Sequence, residues 1–249
     1  MGLMMRIVVV GGTGLIGSQV VTRLREHGHD AVPASPASGV DTLTGEGLKE
    51  VLVGADVLVD VSNSPSFADD DVMSFFRTAT SNLVAAGTDA GVGHFVALSV
   101  VGADRLPDSG YLRAKVVQEN LIEEGGLPYS LVRATQFLEF AGAVADSATS
   151  GGTVRLPDAG VRPIAAEEVA AFVARTAAGS PLGGTLEVAG PDVLGMATWV
   201  RTVLTARADE REVIADPRAP YFGTLLEQDS LLPGEGAELG RIGLRDWLA

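Results

Sequence analysis

Apolar residues in the first half of the chain follow two alternating rhythms. "RIVVV" (6–10), "DVLVDV" (56–61), "HFVALSV" (94–100) and "YSLVRA" (129–134) are short, β-branched and nearly unbroken. Runs of this kind read as parallel strands buried on both faces. "HDAVPA" (29–34) is a weaker fifth, interrupted by Pro33. Between the runs, apolar residues recur at helical spacing. "LIGSQVVTRLREHG" carries Leu15, Ile16, Val20, Val21 and Leu24, then a glycine stop at Gly28. Further helices are expected over 45–55, 67–91 and 110–126, the last with Leu112, Val116, Leu121 and Ile122 near one stripe. Repeated strand–helix–strand units call for a parallel sheet with helices on both faces.

After about residue 135 the rhythm loosens. Helices over 165–178 and 196–208 flank a strand at "GTLEVAG" (184–190), and the last thirty residues carry Gly, Pro and acidic punctuation. No repeat and no long linker divides the chain.

Composition narrows the function classes. With 46% hydrophobic and 20% charged residues, the chain is a well-packed globular protein. A net charge of −14 argues against nucleic acid, whose phosphates need a basic face. There is no cysteine, so disulfides, thiolate metal sites and cysteine nucleophiles are excluded. The three histidines are scattered without ligand spacing, so no metal is expected. No apolar run is long enough for a bilayer span or a signal core, so no membrane partner is expected and the cytoplasm is the expected compartment.

"VVVGGTGLIGSQV" sets Gly11, Gly14 and Gly17 three apart, between the first strand and the first helix. In that context the first glycine permits a tight turn, the second lets backbone approach a pyrophosphate, and the third lets the helix pack on the strand. Free N–H groups at the helix start favour an anionic diphosphate. Gly11, Thr13, Gly14, Leu15, Ile16 and Gly17 are therefore the expected dinucleotide contacts, joined by Ser62 and Asn63 after the strand at 56–61. The expected plan is one domain over 1–249, an α/β, Rossmann-type doubly wound parallel sheet. Residues 4–135 would form the dinucleotide-binding core and 136–249 a small C-terminal substrate-binding part. An NAD site usually ends its second strand in a carboxylate that binds the ribose diol. Here that end reads "VPASPAS"; Asp30 comes too early and Ser35 suits a hydroxyl or a phosphate, which tilts the expectation to NADP(H) over NAD(H). Asp41 could face the adenine or simply serve a surface turn.

Only two lysines stand against sixteen arginines, yet one follows a tyrosine by four residues in "GYLRAK". Tyr111 and Lys115 thus share a helix face. Spacing alone leaves two readings, a catalytic pair or two neighbours on a solvated surface.

"GGTGLIG", "VLVDVSNS", "VALSVVGAD", "GYLRAK" and "LPYSLVRATQF" come in one order along the chain. In that set the protein resembles the short-chain dehydrogenase/reductase superfamily, in its atypical NmrA-like branch. The resemblance implies a hydride transfer from NAD(P)H to a small carbonyl or quinone-like substrate. It makes Tyr111 the proton donor, Lys115 the residue that lowers the tyrosine pKa and binds the nicotinamide ribose, and Ser99 the group that polarises the carbonyl. It places Gln136 and Phe137 beside the substrate, and it implies a homodimer through the helices beside the strand at 94–100. One departure stands out. Many members carry an asparagine in the preceding helix, and that position falls near Phe75 or Phe76, with Asn82 two turns further on. The alternative is therefore a non-catalytic NADP(H)-binding sensor. No Gly-x-Ser-x-Gly elbow appears, which argues against a serine hydrolase.

Overall fold

The computed structural model describes residues 3–249. The first half runs β1 (Arg6–Val10), α1 (Leu15–Glu26), β2 (Asp30–Ala34), α2 (Leu48–Val51), β3 (Val57–Asp60), α3 (Asp69–Ala90), β4 (His94–Val100), α4 (Gly110–Glu124) and β5 (Tyr129–Ala134). The second runs α5 (Ala141–Ser147), β6 (Thr149–Ser150), β7 (Thr153–Leu156), β8 (Gly160–Val161), α6 (Ala166–Ala177), β9 (Gly184–Ala189), β10 (Leu194–Gly195), α7 (Met196–Ala206), β11 (Glu212–Ala215), β12 (Glu238–Leu239) and α8 (Leu244–Trp247).

Seven strands form one sheet in the order β12-β9-β5-β4-β3-β1-β2, with every neighbouring pair parallel. Period-two alternation gives the sheet two apolar faces. Ile7, Val9, Val57, Val59, Val96 and Val132 pack with Val20 and Leu24 of α1 and Val169 and Val173 of α6. Val8, Val10, Leu58, Phe95 and Leu131 meet Leu48, Leu83 and Ile122 of α2, α3 and α4 on the other side. This is the Rossmann-type doubly wound fold. The chain leaves β1 outward to β2 and then crosses back to β3, so strand order reverses between β1 and β3. Connections leaving in opposite directions open a crevice at the carboxyl ends of those strands.

The expected strands at 6–10, 94–100 and 129–134 keep their bounds. The helix expected over 45–55 shrinks to Leu48–Val51, because Gly45, Gly47 and Gly54 hold φ of 82°, 72° and 69°. Such left-handed backbone breaks a helix at both ends. The sheet also draws on both sides of residue 135, since β9 and β12 extend it beyond β5. The remaining C-terminal elements gather around Trp199, Met196, Val203, Val154 and Leu156, and Leu112 of α4 packs into the same cluster. Among the ties that hold the tail, Trp247 Nε1 donates to Glu139 at 3.1 Å, and the Arg105 guanidinium donates to the Leu232 carbonyl at 2.6 Å.

Candidate functional site

The glycine loop is built by contacts that leave no room for side chains. Gly11 has φ 75°, and a Cβ there would lie 2.9 Å from the Ser62 nitrogen on β3's exit loop. The two loops thus close on each other across the β1/β3 crevice. A Cβ on Gly17 would stand 2.1 Å from the Gly11 carbonyl oxygen, so α1 rests directly on the loop. Gly12, which the three-apart pattern passes over, is equally constrained: its Cβ would meet Val9 O at 2.6 Å and Pro33 Cα at 2.7 Å. Gly14 is the N-cap of α1, with no side-chain cap and no acid in the first turn. The helix start therefore presents bare N–H groups at the crevice, the arrangement that suits a diphosphate. Thr13 and Gly14 are exposed and Leu15 is 44% exposed, whereas the Ile16 side chain belongs to the core. Only the backbone of Ile16 can serve a ligand.

Behind the crevice lies a buried polar chain. Asp60, the last residue of β3, is 1% exposed and accepts from the Ser62 amide at 2.9 Å and its hydroxyl at 2.6 Å. Its other oxygen accepts from Gln118 Nε2 at 2.9 Å, and Gln118 Oε1 in turn accepts from Lys115 Nζ. The same ammonium donates to the Leu98 carbonyl at 2.9 Å and lies 4.3 Å from the centre of the Phe76 ring. Burial pulls the Lys115 pKa down to about 8, opposed by the charges of Asp60 and Glu119. Phe76 is one of the two residues, with Phe75, near which the family resemblance puts the asparagine position. Asn82 is turned elsewhere, donating to the Thr42 carbonyl at 2.8 Å. Ser99 follows Leu98 on β4, is 3% exposed, and its Oγ has no partner among the described residues.

Tyr111 lies one turn before Lys115, yet no hydrogen bond joins the two. Its ring stacks on Phe222 at 5.2 Å and meets Phe67 edge-on at 5.4 Å and Phe76 at 6.3 Å. Burial among these rings pushes its pKa up to about 12. The resemblance implied the opposite direction, and the reason is geometric: the ammonium is spent on Leu98, Gln118 and the Phe76 face. Tyr221, next to Phe222, is also held well above the ordinary tyrosine range by burial and by Tyr111, with Gln136 beside it acting in the other direction. Gln136 is 8% exposed and its Oε1 has no partner among the described residues.

Other expected residues divide. The Ser62 hydroxyl is turned onto Asp60, and the exposed Asn63 accepts from the Ser64 amide at 3.0 Å. Ser35 is 6% exposed at the end of β2, its Oγ without a partner among the described residues. Asp30 pairs with Arg6 at 2.7 Å at the opposite end of that strand, and Asp41 accepts from the Leu43 amide in a surface turn at 2.7 Å. Phe137 stacks on Phe140 at 5.1 Å and packs against the α1/α6 core, apart from the Tyr111 rings. Arg133 is bound by Glu119 at 2.6 Å and Asp104 at 2.8 Å. Sequence reasoning passed over Asp60, Gln118, Phe67, Tyr221 and Phe222. An acid ending an otherwise apolar strand and a glutamine three residues after Lys115 were available signals for the first two.

Among the described residues no group of three or more His, Asp or Glu side chains is placed to hold a metal ion. Nor is any helix there long and apolar enough to cross a membrane.

A family model described as NAD(P)H-binding matches residues 11–179. Among curated proteins, the chain is 28% identical over 203 residues to divinyl chlorophyllide a 8-vinyl-reductase, chloroplastic, of Cucumis sativus, covering 68% of this chain and 48% of that one. It is 24% identical over 149 residues to photosystem II assembly factor Ycf39 of Synechocystis sp., covering 54% and 46%. The chain therefore spans about half the length of these relatives. Among solved structures, a dTDP-4-dehydrorhamnose reductase from Bacillus anthracis in complex with NADP superimposes with a TM-score of 0.70. That match is at 14% identity and covers 100% of this chain and 97% of that one, a likeness of fold.

Proposed function

The chain belongs to the NAD(P)H-binding family, and on that premise we propose that it transfers hydride from NAD(P)H to a small carbonyl or quinone-like substrate. The observation that carries this reading is the closure of the Gly11 loop on Ser62 beside a buried lysine and an unpartnered serine at the end of β4. Bare helix N–H groups behind Gly14 would hold the diphosphate, and the dinucleotide would supply the hydride. NADP(H) is favoured over NAD(H), because the end of β2 offers the Ser35 hydroxyl and no carboxylate, Asp30 being engaged by Arg6.

In this reading Ser99 Oγ holds the substrate oxygen and Tyr111 donates the proton. A phenol with a pKa near 12 is protonated throughout the physiological range. It therefore carries the proton that a reduced carbonyl oxygen would take up, although at that pKa it is a weaker acid than an unperturbed tyrosine. Lys115, titrating near 8, can itself hold or return a proton, and Gln118, anchored on Asp60, fixes its position. Fixed donors around a developing oxyanion lower its cost because they need not reorganise.

The test is oxidation of NADPH and NADH with a panel of ketones, aldehydes and quinones, beside Tyr111→Phe. Turnover that falls about 100-fold or more in the variant supports the donor role. A second reading, a dinucleotide-binding sensor, is favoured by the Phe76 ring at the lysine. Tight dinucleotide binding with no turnover on any class would replace the enzyme reading with this one.

A further inference from the structure

Three aromatic rings, Phe67, Phe76 and Phe222, meet Tyr111, and two of them face solvent. Phe67 is 52% exposed and Phe222 is 39% exposed. They pack on each other at 5.6 Å and each on Tyr111, while Tyr221 meets Phe222 edge-on at 4.8 Å. The Tyr111–Phe222 pair is stacked, with only 26° between ring planes.

The backbone under Phe222 is unusual. Residues 221–224 form a two-residue turn, closed by Tyr221 N–H to Thr224 O at 2.8 Å and Thr224 N–H to Tyr221 O at 3.1 Å. Both central residues have positive φ, 46° at Phe222 and 80° at Gly223. Turns of this form favour Asn-Gly, since a bulky side chain in the left-handed region is strained. Among the described residues only Ala208 and Phe222 hold positive φ without being glycine. Such a residue persists where the surrounding packing holds it, and it is found often at ligand sites. Here the left-handed backbone lays a ring on Tyr111 from a small turn tied by two hydrogen bonds and lying outside the seven-stranded sheet.

Beside the rings, polar capacity goes unused. Gln136 Oε1 is buried beside Tyr221 without a partner among the described residues, and the Tyr111 phenol raises the pKa of Tyr221. Flat apolar faces with unspent polar groups at one edge define a ligand by its chemistry.

We propose that the substrate is a flat aromatic or quinoid ring bearing a carbonyl. It takes a place between Tyr111 and Phe222, the Phe222 ring moving outward to admit it, with Phe67 at its edge and its oxygen turned to the hydroxyls of Tyr111 and Tyr221. The proposal rests on the reading of Tyr111 as the group that faces substrate. It assigns Phe222 and Phe67 the choice of ring, and Tyr221 a second hydrogen bond to the oxygen.

Acetophenone and cyclohexyl methyl ketone carry the same carbonyl on rings of equal carbon number, and only one ring is flat. Their dissociation constants for the full chain, read by saturation-transfer NMR titration with and without saturating NADP+, require no turnover. A failure of hydride transfer therefore leaves this test standing. Acetophenone is expected to bind about tenfold tighter, from stacking on two faces. Phe222→Leu and Phe67→Leu each bring the ratio below about threefold, and Phe222→Tyr restores it. Tyr221→Phe weakens both ketones alike by about fivefold. Unchanged NADP+ affinity in the variants certifies their fold. Equal affinity for the two ketones, binding of neither, or a preference that survives Phe222→Leu would overturn the proposal.

Discussion

Lys115 offers a measurement that isolates one buried charge. Its ammonium is 3% exposed, and burial lowers its pKa from 10.5 to about 8. Between those values the unfolded chain binds a proton that the folded chain has released, so stability rises with pH across the window. Below pH 8 both states are protonated and the full desolvation cost is present. Above 10.5 both are neutral and it is gone. The gap corresponds to about 3 kcal/mol at about 1.4 kcal/mol per pH unit, most of it recovered between pH 7 and 10. Lys115→Met keeps a stem of similar shape against Phe76 and removes the charge. It also strands the Leu98 carbonyl and Gln118, at a cost of about 1–3 kcal/mol each that does not vary with pH. The informative quantity is thus the change of the difference with pH, from which Tyr111, Tyr221 and other shared titrations cancel. Urea unfolding of both proteins at pH 7, 8, 9 and 10 is expected to show the wild type gaining about 2–3 kcal/mol on the variant. A difference that stays flat across that range would refute the assignment of Lys115 as a desolvated ammonium.

Two further outcomes follow from the same structure. Gly17→Ala forces a Cβ into the Gly11 carbonyl and is expected to weaken NADP(H) binding by more than about tenfold in calorimetry. Gly184→Ala, with open space around it and ordinary backbone, should leave binding unchanged. Glu119→Gln breaks a bidentate pair with Arg133 whose carboxylate is 4% exposed and is expected to cost about 3 kcal/mol in urea unfolding. Asp104→Asn, on the 52% exposed side of the same arginine, should cost under about 1 kcal/mol.

What the sequence reveals follows from how local each determinant is. Strands at 6–10, 94–100 and 129–134 are apolar runs that need only a sheet around them, and they are read to the residue. The α5 helix and the β6–β7 hairpin escape, although Gly151 and Gly152 carry φ of 59° and 82° at the hairpin's turn. The hairpin strands are two and four residues long, and β7 finds its parallel partner in β11, more than fifty residues on. Short segments stabilised by distant ones leave no periodicity to read. At the site, Tyr111, Lys115 and Ser99 are visible because each sits at a fixed place relative to a strand or helix. The direction in which Lys115 points is not. Phe76 comes from another helix and Asp60 from another strand, and only packing decides that the ammonium turns to them. Phe222 is invisible for a similar reason: a turn that expects asparagine holds phenylalanine, against every local preference.

Pro33, which weakens β2 as a strand and supports Gly12 from beneath, has a bearing on how the molecule behaves in company. β2 is one rim of the sheet. The Asp30 amide turns inward to Met5 at 2.9 Å, so by strict alternation the amide at position 33 would point outward, and proline has none. The opposite rim, β12, is two residues long. Neither border offers a row of donors and acceptors on which a foreign strand could be templated. A sheet of seven parallel strands, slow to assemble and rich in valine, is thereby kept from spreading into fibrous aggregates at its two open sides.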